Sequence, residues 1–212
     1  MFTLKALLAW CLPPACVGCG HAGHNLCYQC LQNLDFYWGE VENLQHWLDL
    51  DAVFTLSYFE TPLSTLLHQL KYSGMFDYAV TAAQLIWQHG RMPRADFLLF
   101  VPLHRDRQHM RGYNQSQLIA QKLSTLSGVP CLFALQKNRA TQSQVNASSR
   151  ESRMQNLSSV FSLNPIAATQ IMGKSCIIID DVVTTGATFA ACAQVLKKAG
   201  AKLVYGVAVA HE

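Results

Sequence analysis

The residues best equipped for chemistry lie together in Cys176-Ile177-Ile178-Ile179-Asp180-Asp181-Val182-Val183-Thr184-Thr185-Gly186-Ala187-Thr188-Phe189. An apolar run ends in two adjacent carboxylates. A short loop of threonines and a glycine follows, and then a helical pattern begins. A buried parallel strand carries its polar residues out at its carboxyl end, where open α/β sheets bind ligands. The loop supplies backbone N–H groups, hydroxyls and a helix N-terminus, which together make an anion site. Carboxylates beside such a cradle suit a ligand with both sugar hydroxyls and a phosphate. The plainer alternative is a strand-to-helix turn with a capping Thr. The joint order of strand, acidic pair, loop and helix favours the ligand site.

A second polar segment follows a second apolar run. Phe97-Leu98-Leu99-Phe100-Val101-Pro102 has the pattern of a central parallel strand covered on both faces. It leads into Arg105-Asp106-Arg107-Gln108-His109-Met110-Arg111-Gly112-Tyr113-Asn114-Gln115-Ser116. Planar guanidinium forks match phosphate oxygens, so Arg105, Arg107 and Arg111 are candidates for holding a pyrophosphate. A solvated basic loop is the competing reading. Asn138 to Arg153 is long, polar and poor in apolar residues, with Arg139, Thr141, Gln144 and Arg153 along it. Inside a compact domain such a stretch is a functional loop or lid, or else a solvated basic helix.

A third cluster stands at the front. Cys16-x-x-Cys19 and Cys27-x-x-Cys30 supply four thiolates that can converge on one tetrahedral ion. In a reducing compartment, structural Zn²⁺ is the expectation over two disulfides. The rival is a redox pair, which belongs at a helix start after a strand. His21 and His24 lie between the pairs and read as solvated loop residues, while Cys131, Cys176 and Cys192 read as small buried hydrophobes. Gly18-x-Gly20-x-x-Gly23 matches a dinucleotide fingerprint but joins no strand to a helix, so it is set aside. Gly173-Lys174-Ser175 ends like a P-loop, yet Ala168 stands where the first glycine belongs and a strand follows.

The elements that must position these groups fit one core with a small appendage, at 212 residues, 50% hydrophobic and 14% charged. A net charge of +3 permits phosphate ligands without arguing for nucleic acid. Lys5 is the only Lys or Arg before His68, which further weakens a nucleic-acid role for the cysteine module. Pro13 and Pro14 interrupt the apolar start, so no secretory signal is read there, no run reaches the ~20 residues of a membrane span, and a cytoplasmic location is expected. Ala52 to Tyr58 alternates as a strand. Thr61 and Pro62 open a helix carrying Leu63, Leu66, Leu67 and Leu70 at helical spacing. A second helix runs from Tyr78 to His89, with Val80, Ala83, Ile86 and Trp87 as its core face. Leu118 to Leu126 reads as a helix and Cys131 to Leu135 as a short strand. Phe189, Cys192, Leu196 and Ala199 stripe the helix after the acidic pair, and Leu203 to Val209 is the last strand. Strands alternating with helices make an α/β parallel sheet.

The Asp180–Thr188 run resembles the ribose-5-phosphate signature of type I phosphoribosyltransferases. The resemblance implies that family's fold, a parallel sheet flanked by helices. It implies phosphoribosyl pyrophosphate (PRPP) binding along the run: Asp180 and Asp181 on the ribose hydroxyls, Val182 and Val183 between, and Thr184, Thr185, Gly186, Ala187 and Thr188 around the 5′-phosphate. With the four-Cys module, Leu67-His68-Gln69-Leu70-Lys71-Tyr72-Ser73-Gly74, Val101-Pro102-Leu103-His104, Arg111-Gly112-Tyr113-Asn114-Gln115-Ser116 and Arg139-x-Thr141, the chain is similar to the ComF/GntX family over nearly its whole length. That resemblance implies a zinc module at 1–45, a phosphoribosyltransferase-like domain at 46–212, and a link to competence, the uptake and use of external DNA. The implied reaction is attack of an amine or nucleobase at the anomeric carbon. Arg107, Arg111 and Mg²⁺ would stabilise departing pyrophosphate, and Asp180 and Asp181 would tolerate charge on the ring. The alternative is a PRPP-binding adaptor without turnover, its zinc knob contacting a protein partner.

Overall fold

The computed structural model describes residues 13–41, 49–138 and 160–212. In chain order its elements are α1 (Tyr28–Gln32), β1 (Gly39–Glu40), β2 (Ala52–Tyr58), α2 (Leu63–Tyr72), α3 (Asp77–His89), β3 (Phe97–Phe100), α4 (Arg105–Arg111), α5 (Gln115–Ser127), β4 (Leu135–Lys137), β5 (Phe161–Leu163), α6 (Pro165–Ile171), β6 (Ser175–Val183), α7 (Ala187–Lys198) and β7 (Leu203–His211).

Side chains on a strand alternate between faces, so a strand that is apolar at every position is covered on both. In β6, Ile177 and Ile179 join Leu66, Leu70, Ile86 and Ile119 from α2, α3 and α5. Cys176 and Ile178 join Ile171, Phe189, Cys192 and Leu196 from α6 and α7 on the other side. Helices therefore cover both faces of a five-stranded sheet with order β1-β2-β7-β6-β3. β2, β7, β6 and β3 run parallel, and β1 is antiparallel to β2. β4 and β5 form a separate antiparallel ribbon, closed by the Asn138 N–H donating to the Val160 carbonyl at 2.8 Å.

Several expectations need correction. β3 is an outer strand of the sheet rather than a central one. It reads as central because both faces are covered, Leu98 and Phe100 on one and Leu99 on the other. A single bridge from Leu98 to Cys131 meets its outer edge, and the short strand expected at 131–135 begins only at Leu135. The arginine-rich loop is a helix, α4, with the His104 side chain accepting from the Asp106 N–H. Gly112 ends it in the left-handed region at φ 79°, and Asn114 starts α5 by accepting from the N–H groups of Ser116 and Gln117. The helix expected from Leu118 thus begins at Gln115, because the Asn cap satisfies the early donors. No side chain caps α2, so Thr61 does not play that role. Trp87 is exposed: Tyr78, Ala82, Leu85 and Ile86 form the buried face of α3, and Trp87 falls outside it.

The cysteine-rich front packs on the sheet's α2–α3 face. Val17, Leu26, Leu31 and Leu34 lie against that core. The Asn25 amide donates to Thr81 Oγ1 of α3 at 3.1 Å, and Ser57 Oγ of β2 donates to the Asp35 carbonyl at 2.8 Å.

Candidate ribose phosphate and metal sites

Asp180 and Asp181 lie inside β6 at its carboxyl end, and the strand continues two residues further. Asp180 Oδ1 accepts from Ser116 Oγ at 2.6 Å and from the Asp181 N–H at 2.9 Å. Burial, and then the neighbouring Asp181 charge, push the Asp180 carboxyl up to about 8. Asp181 follows the alternation of Ile177 and Ile179 toward α2. There its Oδ2 lies 2.5 Å from Lys71 Nζ, with Asp181 buried and Lys71 at 24% side-chain exposure. Neighbouring carboxylates thus meet different partners, a hydroxyl on α5 and an ammonium on α2.

The loop after β6 exposes Thr184, Thr185 and Thr188, while Gly186 is buried. Gly186 holds the left-handed conformation at φ 72° and stands as N-cap of α7 without a capping side chain. α4, α5 and α6 are each capped by a side chain, from His104, Asn114 and Asn164, whereas α1, α2 and α3 share with α7 the lack of one. An uncapped twelve-residue helix after a hydroxyl-rich loop leaves backbone donors for an anion. Val183 is buried in the core and Val182 half-buried, so these two can offer a ligand only backbone groups.

The three arginines of α4 do not share one cavity. Arg107 and Arg111 line a cavity of about 490 Å³ with Lys71, Tyr72, Met110 and Tyr113. The Arg111 guanidinium lies 5.4 Å from the Tyr72 ring centroid, and its Nη1 donates to Gln115 Oε1 at 2.6 Å. Tyr113 Oη donates to the Leu70 carbonyl, pinning the end of α2 to the turn after α4. Arg105 instead lines a cavity of about 950 Å³ with His104, Asn114, Phe133, Lys137 and Asn164. Burial, and then the Arg107 charge, hold the Lys137 ammonium below the usual lysine range. Arg139, Thr141, Gln144 and Arg153 lie outside the described residues.

Lys71 and Ser116 are site residues that the sequence reading missed. Both fall inside quoted stretches, but neither type signals chemistry there. Lys71 reads as an ordinary basic residue in the last turn of a helix.

At the front, the four sulfurs of Cys16, Cys19, Cys27 and Cys30 lie within 4.8 Å of one another, and those of Cys19 and Cys27 are 3.6 Å apart. Tetrahedral Zn–S bonds of about 2.3 Å put sulfurs ~3.8 Å apart, so the cluster fits structural zinc. Burial raises the Cys16 thiol, but backbone N–H groups of Cys27, Cys19 and Gly18 outweigh it and bring it down to about 6. Burial and the three neighbouring thiols push Cys30 up to about 12. Thiols this close resist a second negative charge until a cation joins them. Gly18 is there for room: a Cβ on it would lie 2.7 Å from Cys30 Sγ. His21 and His24 are exposed and take no part.

These features can be compared with known proteins. Residues 110–212 match the phosphoribosyl transferase domain. DNA utilization protein YhgH of Salmonella typhi is 37% identical over 160 residues, 71% of this chain and 67% of that protein. Competence protein F of Haemophilus influenzae is 30% identical over 208 residues, 90% of this chain and 83% of that one. The chain belongs to the competence protein F family. Among solved structures, the glutamine PRPP amidotransferase of B. subtilis has a TM-score of 0.43 and 21% identity over 61% of this chain and 25% of that one. In this family member the matched domain takes in Arg111 and the whole 180–188 run, while Lys71, Arg105 and Arg107 precede it. Among the described residues, no helix is long and apolar enough to cross a membrane.

Proposed function

We propose that this protein binds PRPP through the carboxyl end of β6 and transfers its phosphoribosyl group to an amine or nucleobase. One observation carries the reading: an acidic pair, a glycine-started uncapped helix and a cavity with three cations lie at one end of a parallel sheet. Asp180 and Asp181 would take the ribose hydroxyls. Thr184, Thr185, Thr188 and the backbone of Gly186 and Ala187 would take the 5′-phosphate. Arg107 and Arg111 would face the pyrophosphate, with Arg105 approaching from the larger cavity. Mg²⁺, if it is held with the pyrophosphate, would supply further positive charge to the leaving group. The protein's own share is electrostatic: the Asp181 carboxylate beside a ring that gains positive charge, and guanidinium groups beside oxygens that gain negative charge.

The family's names point to the use of external DNA as the setting, with residues 1–45 as a zinc-held module for a partner and 46–212 as the transferase-like part. A reducing cytoplasm suits both the thiols and the ligand. Calorimetry with PRPP and Mg²⁺ tests the reading. Wild type binds, and Asp180→Asn with Asp181→Asn loses most of the affinity; a wild type that does not bind would remove the proposal. Pyrophosphate release with a panel of amines and nucleobases then separates a transferase from a PRPP-binding adaptor.

A further inference from the structure

We propose that Lys71 makes this site select the pyrophosphate-bearing sugar over ribose 5-phosphate, by passing from Asp181 to the pyrophosphate as the ligand enters. The inference rests on the ribose reading of the acidic pair. A sugar hydroxyl must donate to a carboxylate oxygen. Asp180 Oδ1 already accepts from Ser116 Oγ and from the Asp181 N–H. Asp181 Oδ2 is buried, and the Lys71 ammonium sits against it at 2.5 Å. In the absence of ligand, one carboxylate oxygen of the acidic pair that could accept from the ribose, Asp181 Oδ2, is therefore held by a cation.

Displacing Lys71 requires another anion for it to meet. Its side chain is partly exposed and lines the 490 Å³ cavity it shares with Arg107 and Arg111. A flexible four-carbon stem with three donors can turn into that cavity without moving the backbone. The backbone is in any case pinned next door, where Tyr113 Oη donates to the Leu70 carbonyl. A pyrophosphate group in the cavity gives the ammonium a new partner and leaves Asp181 to the ribose. Ribose 5-phosphate uses its one phosphate in the 184–188 cradle and brings nothing to draw Lys71 away. It must compete with the ion pair directly.

Calorimetry of wild type and Lys71→Met with PRPP and with ribose 5-phosphate, both with Mg²⁺, tests this. Wild type prefers PRPP. In the variant, PRPP affinity falls about tenfold or more, the scale of one charged hydrogen bond, while ribose 5-phosphate affinity holds or rises. A preference that survives the substitution, with both affinities unchanged or lowered equally, overturns the role of Lys71 and leaves the ribose site standing. A wild type that binds neither sugar overturns both. Should the variant not fold, the wild type answers by acetic anhydride labelling and peptide mass spectrometry. PRPP protects Lys71 and ribose 5-phosphate does not; labelling of Lys71 that PRPP leaves unchanged overturns the proposal.

Discussion

The Lys71 ammonium lies 2.5 Å from the buried Oδ2 of Asp181, tying the last turn of α2 to the carboxyl end of β6. The two partners are unequal. Asp181 is buried, whereas Lys71 keeps 24% of its side chain in solvent. Removing the lysine leaves a carboxylate in the interior without its counter-charge. Removing the carboxylate leaves an ammonium that can hydrate.

Lys71→Met should therefore destabilise the fold by about 2 kcal/mol, less than a fully buried pair would lose because Lys71 is partly solvated. Asp181→Asn should cost about half as much, and the double variant should recover part of the loss. Urea denaturation of the three variants measures this; equal costs for the two single variants would contradict the asymmetry.

Asp180 gives the fold a pH dependence with a definite sign. Its folded pKa, about 8, stands above the ordinary value of 3.8. The folded protein therefore holds a proton there that the unfolded chain has released, and stability falls as pH rises from about 4 to about 8. Asp180→Asn keeps an oxygen for Ser116 Oγ and has nothing to titrate. The variant's melting temperature should decline less across that window than the wild type's, as read from thermal melts at several pH values.

Gly186 holds a left-handed backbone at the mouth of the cradle. Gly186→Ala adds a Cβ in a conformation that costs about 1–2 kcal/mol. The expected result is a melting temperature lower by several degrees, together with weaker PRPP binding in calorimetry. Thr184→Ala, at an exposed side chain of the same loop, should affect binding more than stability.

The metal site predicts a coupled loss. Purified protein should carry about one zinc per chain by elemental analysis, and Cys16→Ser with Cys27→Ser should carry none. Because Val17, Leu26 and Leu31 pack on the sheet's α2–α3 face, a strong chelator should lower the melting temperature of the whole chain. Gly18→Ala should weaken metal retention, since the new methyl would lie 2.7 Å from Cys30 Sγ.

What could be read from residues alone was whatever depends on neighbours in the chain. The Cys-x-x-Cys spacings bring sulfurs together through tight local turns, and all four do converge. The apolar run before Asp180 makes a doubly covered strand with the acidic pair near its carboxyl end, although Asp180 is only half-buried and Asp181 is buried, a difference that their packing decides. Leu63, Leu66, Leu67 and Leu70 are all buried because a helical stripe needs only its own period. Tertiary structure decided what depends on distant segments. Run 97–102 is covered on both faces whether its strand is central or outer, so its apolar pattern could not reveal the edge. Trp87 lies outside the buried face because neighbours across space set which arc of α3 is covered. Arg105 parts from Arg107 and Arg111 because the segment is a helix and turns them to different cavities. The pairing of Lys71 with Asp181 has no trace in either local pattern. A lone lysine at a helix end gains meaning only when the sheet brings a buried carboxylate to meet it.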